Sequence, residues 1–190
     1  ASVIVTNKNN TSINGLEDLK GKRIVFEDFA STTGFTIPAG AILKQGYTLE
    51  YLSSPRATQT LDEDNVGFLL GRTEETTFAW VAKGLADAGA FSDVDWSDAD
   101  KIPAERRKML KKVWESNPVP RAVILASTKL TKEERSQIKT ILFEAHTDLR
   151  ADYALRAFHR TTKFEAFTEK HFESLKEVSD YITLTGSINK

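Results

Sequence analysis

The sequence predicts an α/β fold: a mostly parallel sheet flanked by helices, followed by a C-terminal helical tail. Three observations carry this reading. Short apolar runs rich in β-branched or small residues, at 23–26, 66–70 and 86–91, alternate with segments of helical spacing. Strands interleaved with helices make βαβ crossovers and therefore parallel neighbours. Beyond Thr128 apolar residues recur mainly at helical intervals. Finally, 190 residues, 40% of them hydrophobic, suffice for one sizeable domain or two small lobes that bury roughly 70% of the unfolded surface.

Residues 3–5 open as a strand, and 6–14 form a polar loop. Residues 16–22, LEDLKGK, make a short helical turn closed by Gly21, because glycine readily adopts the left-handed conformation that ends a helix. Arg23–Phe26 is a buried strand, and a helix begins near Thr33 and runs to Lys44. Pro38 falls several residues into that helix, so its first turn is expected to be irregular. Residues 48–52 and 66–70 are strands, 74–83 a helix stopped by Gly84, and 86–91 a small-residue strand. Residues 103–111 read as a basic helix, and 113–115 and 122–126 as further strands. Thr131 and Glu134 have capping-box spacing at the head of an amphipathic helix to about Leu149, with Ile138, Ile141, Leu142 and Ala145 as its apolar stripe. Residues 151–158 and 164–182 are helical as well. The division therefore falls at residues 1–128, an α/β ligand-binding lobe, and 129–190, a helical segment.

Composition excludes several functions. A net charge of −1 gives no global attraction to nucleic acid or anionic membrane, and the basic run Arg106, Arg107, Lys108, Lys111 and Lys112 lacks interleaved aromatics. No apolar run reaches the roughly 18–20 residues of a membrane span. There is no cysteine, hence no thiol chemistry, and His146, His159 and His171 lack metal-ligand spacing. Asp93, Asp95, Asp98 and Asp100 lack the glycine and terminal Glu of a calcium loop. No metal or cofactor is expected. No nucleophile elbow, Walker loop or dinucleotide fingerprint occurs, which favours binding over catalysis. The chain starts at Ala1 without a signal peptide and reads as a mature or trimmed product.

Two stretches carry binding chemistry. After strand 23–26 comes an acidic turn, Glu27-Asp28, then Ser31, Thr32, Thr33 and Gly34 at a helix start. Such a junction aims free N–H groups and hydroxyls at one point, a donor set suited to a tetrahedral oxyanion. A plain N-cap by Ser31, Thr32 or Thr33 is the alternative. The second stretch, Gly71-Arg72-Thr73-Glu74-Glu75, repeats the arrangement after strand 66–70. Thr73 and Arg72 would donate, and Glu74 would accept the proton of a P–OH group; alternatively both glutamates only offset the helix dipole. Asp87 is either a cleft-lining acceptor or a structural carboxylate.

These motifs, in this order, resemble the solute-binding proteins of phosphate, phosphite and phosphonate ABC importers. The resemblance rests on residues 16–26 (LEDLKGKRIVF), Ser31-Thr32-Thr33-Gly34-Phe35 with Pro38, residues 84–90 (GLADAGA) and Val119-Pro120-Arg121. It implies a periplasmic-binding-protein-like lobe of a two-lobed clamshell, ligated through Ser31, Thr32, Thr33 and Gly34 with Arg72, Thr73, Glu74, Asp87 and Arg121. It also implies an extracytoplasmic location and an ABC permease as partner. A ligand-sensing domain of a membrane signalling protein is the alternative role. Glu74 stands where many relatives carry a histidine. Residues 3–5 resemble a crossover strand between lobes, so the N-terminal part of the first lobe is expected to be absent. The tail would then be a remnant of that lobe, with exposed helices that favour self-association.

Overall fold

The computed structural model describes residues 1–57, 61–62, 64–158 and 161–188. His159, one of the three histidines, lies outside them. Two compact units are present: residues 1–119 with 173–190, and residues 120–172. The sequence places a single boundary at Thr128; the units divide at Val119/Pro120 and again at Phe172/Glu173.

The first unit is built on six strands: β1 Ser2–Asn7, β2 Arg23–Phe26, β3 Thr48–Tyr51, β4 Asn65–Leu70, β5 Ala88–Ser92 and β6 Leu110–Glu115. Their spatial order is β3-β4-β2-β5-β1-β6. The pairs β3/β4, β4/β2 and β2/β5 are parallel; β5/β1 and β1/β6 are antiparallel. The mostly parallel sheet expected from the alternation of elements is therefore present, with an antiparallel edge. Its central strands are buried on both faces. Ile4, Ile24, Phe26, Phe68 and Ala88 enter one core, while Val3, Val5, Val25, Leu69 and Phe91 enter the other. That alternation follows from the two-residue side-chain period of a strand. Helix α1 (Ile37–Lys44) contributes to the first core and α2 (Glu74–Ala82) to the second. Two short helices, α3 (Asp93–Ser97) and α4 (Ala104–Arg107), follow β5.

One sequence expectation is corrected here. The helix predicted over 103–111 ends at Arg107, and strand β6 starts at Leu110. Ladder bonds to β1, and the burial of Leu110 that comes with them, prevail over the helical propensity of the basic residues.

In the second unit α5 (Lys132–Glu144) carries the predicted capping box. Thr131 N–H donates to Glu134 Oε2 at 2.8 Å, and Glu134 N–H donates to Thr131 Oγ1 at 3.2 Å. Helix α6 is Asp152–Ala157, and α7 is Glu169–Thr185, of which the part from Glu173 onward belongs to the first unit. The strand predicted over 122–126 is not one: this stretch joins no ladder and forms no regular element, and Leu125 is 86% exposed. Pro118 and Pro120 just before it have no N–H to give a sheet.

Candidate functional site

Strands β2 and β4 are parallel neighbours with Phe26 beside Leu70, so the loops that follow them leave the same edge of the sheet. In open α/β sheets ligands gather at the carboxyl ends of the strands. The two loops are joined by backbone bonds: Gly71 N–H donates to Phe26 O at 2.8 Å, and Arg72 N–H to Glu27 O at 2.9 Å. Arg72 sits in the left-handed region, φ 67°, and its guanidinium pairs with the Asp28 carboxylate across the gap. A non-glycine residue there carries local strain of the kind that collects at binding sites.

The first loop enters its helix through a π turn, Thr32–Thr36, the irregular first turn expected from Pro38. Both Phe35 and Thr36 N–H donate to Ser31 O, at 3.1 and 3.0 Å. Proline at 38 has no N–H for the Gly34 carbonyl four residues back. That carbonyl instead accepts Glu27 N–H at 3.1 Å, which ties the strand end to the turn. Ser31 is the N-cap, its Oγ accepting Gly34 N–H at 2.9 Å. This leaves the N–H groups of Thr32 and Thr33, at the head of the turn, without intrahelical acceptors. Ser2 Oγ donates to Thr33 O at 2.6 Å and so fixes the back of the loop.

Asp28 is held ionised. The N–H of Ala30, 3.0 Å from Oδ1, is the main cause of its lowered pKa; burial opposes it, and the bond and charge of Arg72 add to it. In the second loop Thr73 is the N-cap of α2, accepting Thr76 N–H at 3.1 Å. The Glu74 carboxylate is bound by Lys101 Nζ, which also pairs with Asp95 at 2.7 Å. Partial burial works against the Lys101 ammonium, but the bonds and charges of Asp95 and Glu74 outweigh it and raise its pKa. Glu74 thus sits in an ion-pair cluster at the mouth of the loop.

The structure joins the two loops at Phe26–Asp28 and Gly71–Arg72; Ser31, Thr32, Thr33 and Gly34 follow in the first loop, Thr73 and Glu74 in the second. Asp87 lies elsewhere: β2 and β5 pair Ile24 with Ala88, so Asp87 stands at the amino ends of the strands. There its Oδ2 accepts Arg23 N–H at 2.8 Å. Replacing Asp87 with Ala strands that half-buried N–H. The unfolding free energy should fall by about 1–3 kcal/mol, checked by urea unfolding. Arg121 belongs to the other unit, where it lines a cavity of ≈ 740 Å³ with Arg135, Lys139 and Lys163. Sequence reasoning missed Ser2, Lys101 and the placement of the Glu27 side chain. Ser2 and Lys101 act across 31 and 27 residues of chain, and no local pattern marks them.

A family model described as the periplasmic substrate-binding protein of phosphonate ABC transporters matches residues 1–172. The chain belongs to this family. Its members bind a substrate outside the cytoplasm for delivery to an importer, a binding function and not a catalytic one. The phosphate-import protein PhnD of Mycolicibacterium smegmatis is 26% identical over 186 residues, which are 93% of this chain and 55% of that protein. The chain thus spans about half the length of this relative. A Xanthomonas citri protein solved bound to ATP is 25% identical with a TM-score of 0.83, over 99% of this chain and 68% of that one. PhnD1 of Prochlorococcus marinus, in complex with methylphosphonate, shares the fold at a TM-score of 0.57 and 20% identity, over 96% and 66%.

Proposed function

We propose that the chain binds a phosphorus oxyanion (phosphate, phosphite or a phosphonate) at the Ser31–Thr33 loop, as the solute-binding component of an ABC importer. One observation carries this: in a chain of this family, two strand–helix loops on adjacent parallel strands are bonded together, and the first opens on Thr32 and Thr33 N–H groups that no helical carbonyl takes. Backbone N–H groups and hydroxyls held by a rigid turn suit a compact anion, because they need no reorganisation on binding. Arg72, with its charge shared by Asp28, and the Thr73 cap complete the facing wall. An ABC permease is the downstream partner.

Calorimetric titration with phosphate, phosphite and methylphosphonate is the test, and ATP belongs in the same panel because a relative is solved with it. At least one phosphorus oxyanion should bind. Thr33→Ala should weaken that ligand by about 1.5–3 kcal/mol, ten- to a hundred-fold, while the unfolding free energy changes by less than about 1 kcal/mol. Equal affinity in Thr33→Ala and the unaltered chain would remove this loop as the site.

A further inference from the structure

We infer that Glu27 is the proton acceptor of the oxyanion loop and makes the site select ligands that still carry a P–OH proton. This rests on the oxyanion reading above and adds a specificity-determining residue to it.

The geometry comes from the end of β2. Phe26 is buried, Glu27 is half-buried, and the Glu27 side chain folds back over Gly34. A Cβ placed on Gly34 would lie 2.5 Å from Glu27 Oε2, 2.8 Å from Glu27 Cβ and 2.8 Å from Ser31 Oγ. The carboxylate, the Ser31 hydroxyl and the head of the π turn therefore share one small volume. Glycine is required at 34 for this close approach. Among the described residues, no ion pair or hydrogen bond is shown for the Glu27 carboxylate. The other carboxylates of the two loops have partners. Asp28 takes Ala30 N–H and the Arg72 guanidinium. Glu74, in the second loop, is bound by Lys101.

An ionised carboxylate offers only lone pairs. Arg72 and Asp28 cancel each other, so Glu27 leaves the loop with a net negative charge beside its donors. An aprotic oxyanion would set oxygen lone pairs against those of Glu27, which costs binding free energy in a partly desolvated site. A ligand that keeps one P–OH donates that proton to Glu27 while its ionised oxygens take the N–H groups and hydroxyls. The repulsion then becomes a short charge-assisted hydrogen bond. Sulfate matches hydrogen phosphate in shape and charge but carries no proton at neutral pH, so it is the discriminating probe.

The experiment is calorimetry of the full chain with phosphate, methylphosphonate and sulfate between pH 6 and 9, repeated on Glu27→Gln and Glu27→Asp. In the unaltered chain phosphate should bind at least a hundred-fold tighter than sulfate at pH 7. Methylphosphonate affinity should fall as rising pH removes its last acidic proton, while phosphate, which keeps one P–OH up to about pH 9, should hold its affinity. Glu27→Gln should narrow the phosphate-to-sulfate ratio at least ten-fold and flatten the methylphosphonate pH profile. Glu27→Asp, with the carboxylate drawn back by one methylene, should fall between the two. Unchanged ratio and profile in Glu27→Gln overturn the inference, and so does sulfate binding as tightly as phosphate in the unaltered chain, whether or not either variant folds. If phosphate binds and Thr33→Ala weakens it while Glu27→Gln does nothing, the role of Glu27 fails and the loop stands. If no oxyanion binds at any pH, the loop assignment fails and takes Glu27 with it.

Discussion

Phe68→Ala is expected to lower the unfolding free energy by about 3–5 kcal/mol, a large part of the roughly 5–15 kcal/mol that holds a domain folded. Phe68 lies in β4 with no exposed surface. Its ring centre is 5.9 Å from that of Phe26, 6.1 Å from Phe29, 6.1 Å from Phe35 and 5.4 Å from Tyr51. Truncation removes the transfer energy of the ring and leaves a cavity that rigid neighbours on the sheet cannot collapse into. Phe29 and Phe35 belong to the candidate loop and its π turn, so the same change should also loosen the loop and weaken ligand binding. Phe68→Leu keeps most of the volume and should cost only about 1 kcal/mol. Urea unfolding of both variants measures this. Equal midpoints for Phe68→Ala and the unaltered chain would mean that this ring cluster contributes nothing to stability.

Gly40→Leu should produce the next largest loss, about 3 kcal/mol, by overpacking. Gly40 is buried in α1, and a Cβ placed there would lie 2.5 Å from Tyr181 Cβ, 2.5 Å from its Cδ1 and 2.6 Å from its Cγ. The Tyr181 Cβ is fixed by its own backbone, so no rotamer change of Tyr181 clears the space. α7 itself would have to retreat from α1. A better helix former at this position regains at most about 1 kcal/mol of propensity, so the clash decides the sign. Tyr181 is anchored in its turn: its hydroxyl donates to Glu177 at 2.8 Å, and burial, then that bond and the carboxylate charge, raise its pKa. Combining Gly40→Ala with Tyr181→Ala tests the contact directly. The two changes should show a coupling of at least about 0.5 kcal/mol in a double-mutant cycle, and strict additivity would mean that the helices do not meet here.

The loop at Ser31 to Gly34 was readable as a site because its signals are local: hydroxyls, a glycine and a proline within eight residues, directly after an apolar strand. What the sequence left open there was the division of labour. Either a cap or a ligand donor fitted all three hydroxyls, and the structure makes Ser31 the cap. In the second loop the alternatives for Glu74 were an acceptor of a ligand proton or a neighbour of the helix dipole. The structure adds a third party, Lys101, which reaches it from 27 residues away. The carboxylate that overlies the first loop is instead Glu27, visible beforehand only as half of an acidic turn.

By itself the sequence determined the alternation of strands and helices, the cap at Thr131, the irregular turn ahead of Pro38 and the membership of a binding-protein family. Each depends on neighbours within a few positions, through side-chain period, capping bonds or proline geometry. Only the tertiary structure decided that Asp87 binds Arg23 N–H at the amino ends of the strands, that residues 110–111 join a ladder instead of a helix, and that residues 122–126 have no ladder at all. A hydrogen bond across 64 residues or a place at a sheet edge depends on which strand arrives alongside. No window of local sequence contains that partner.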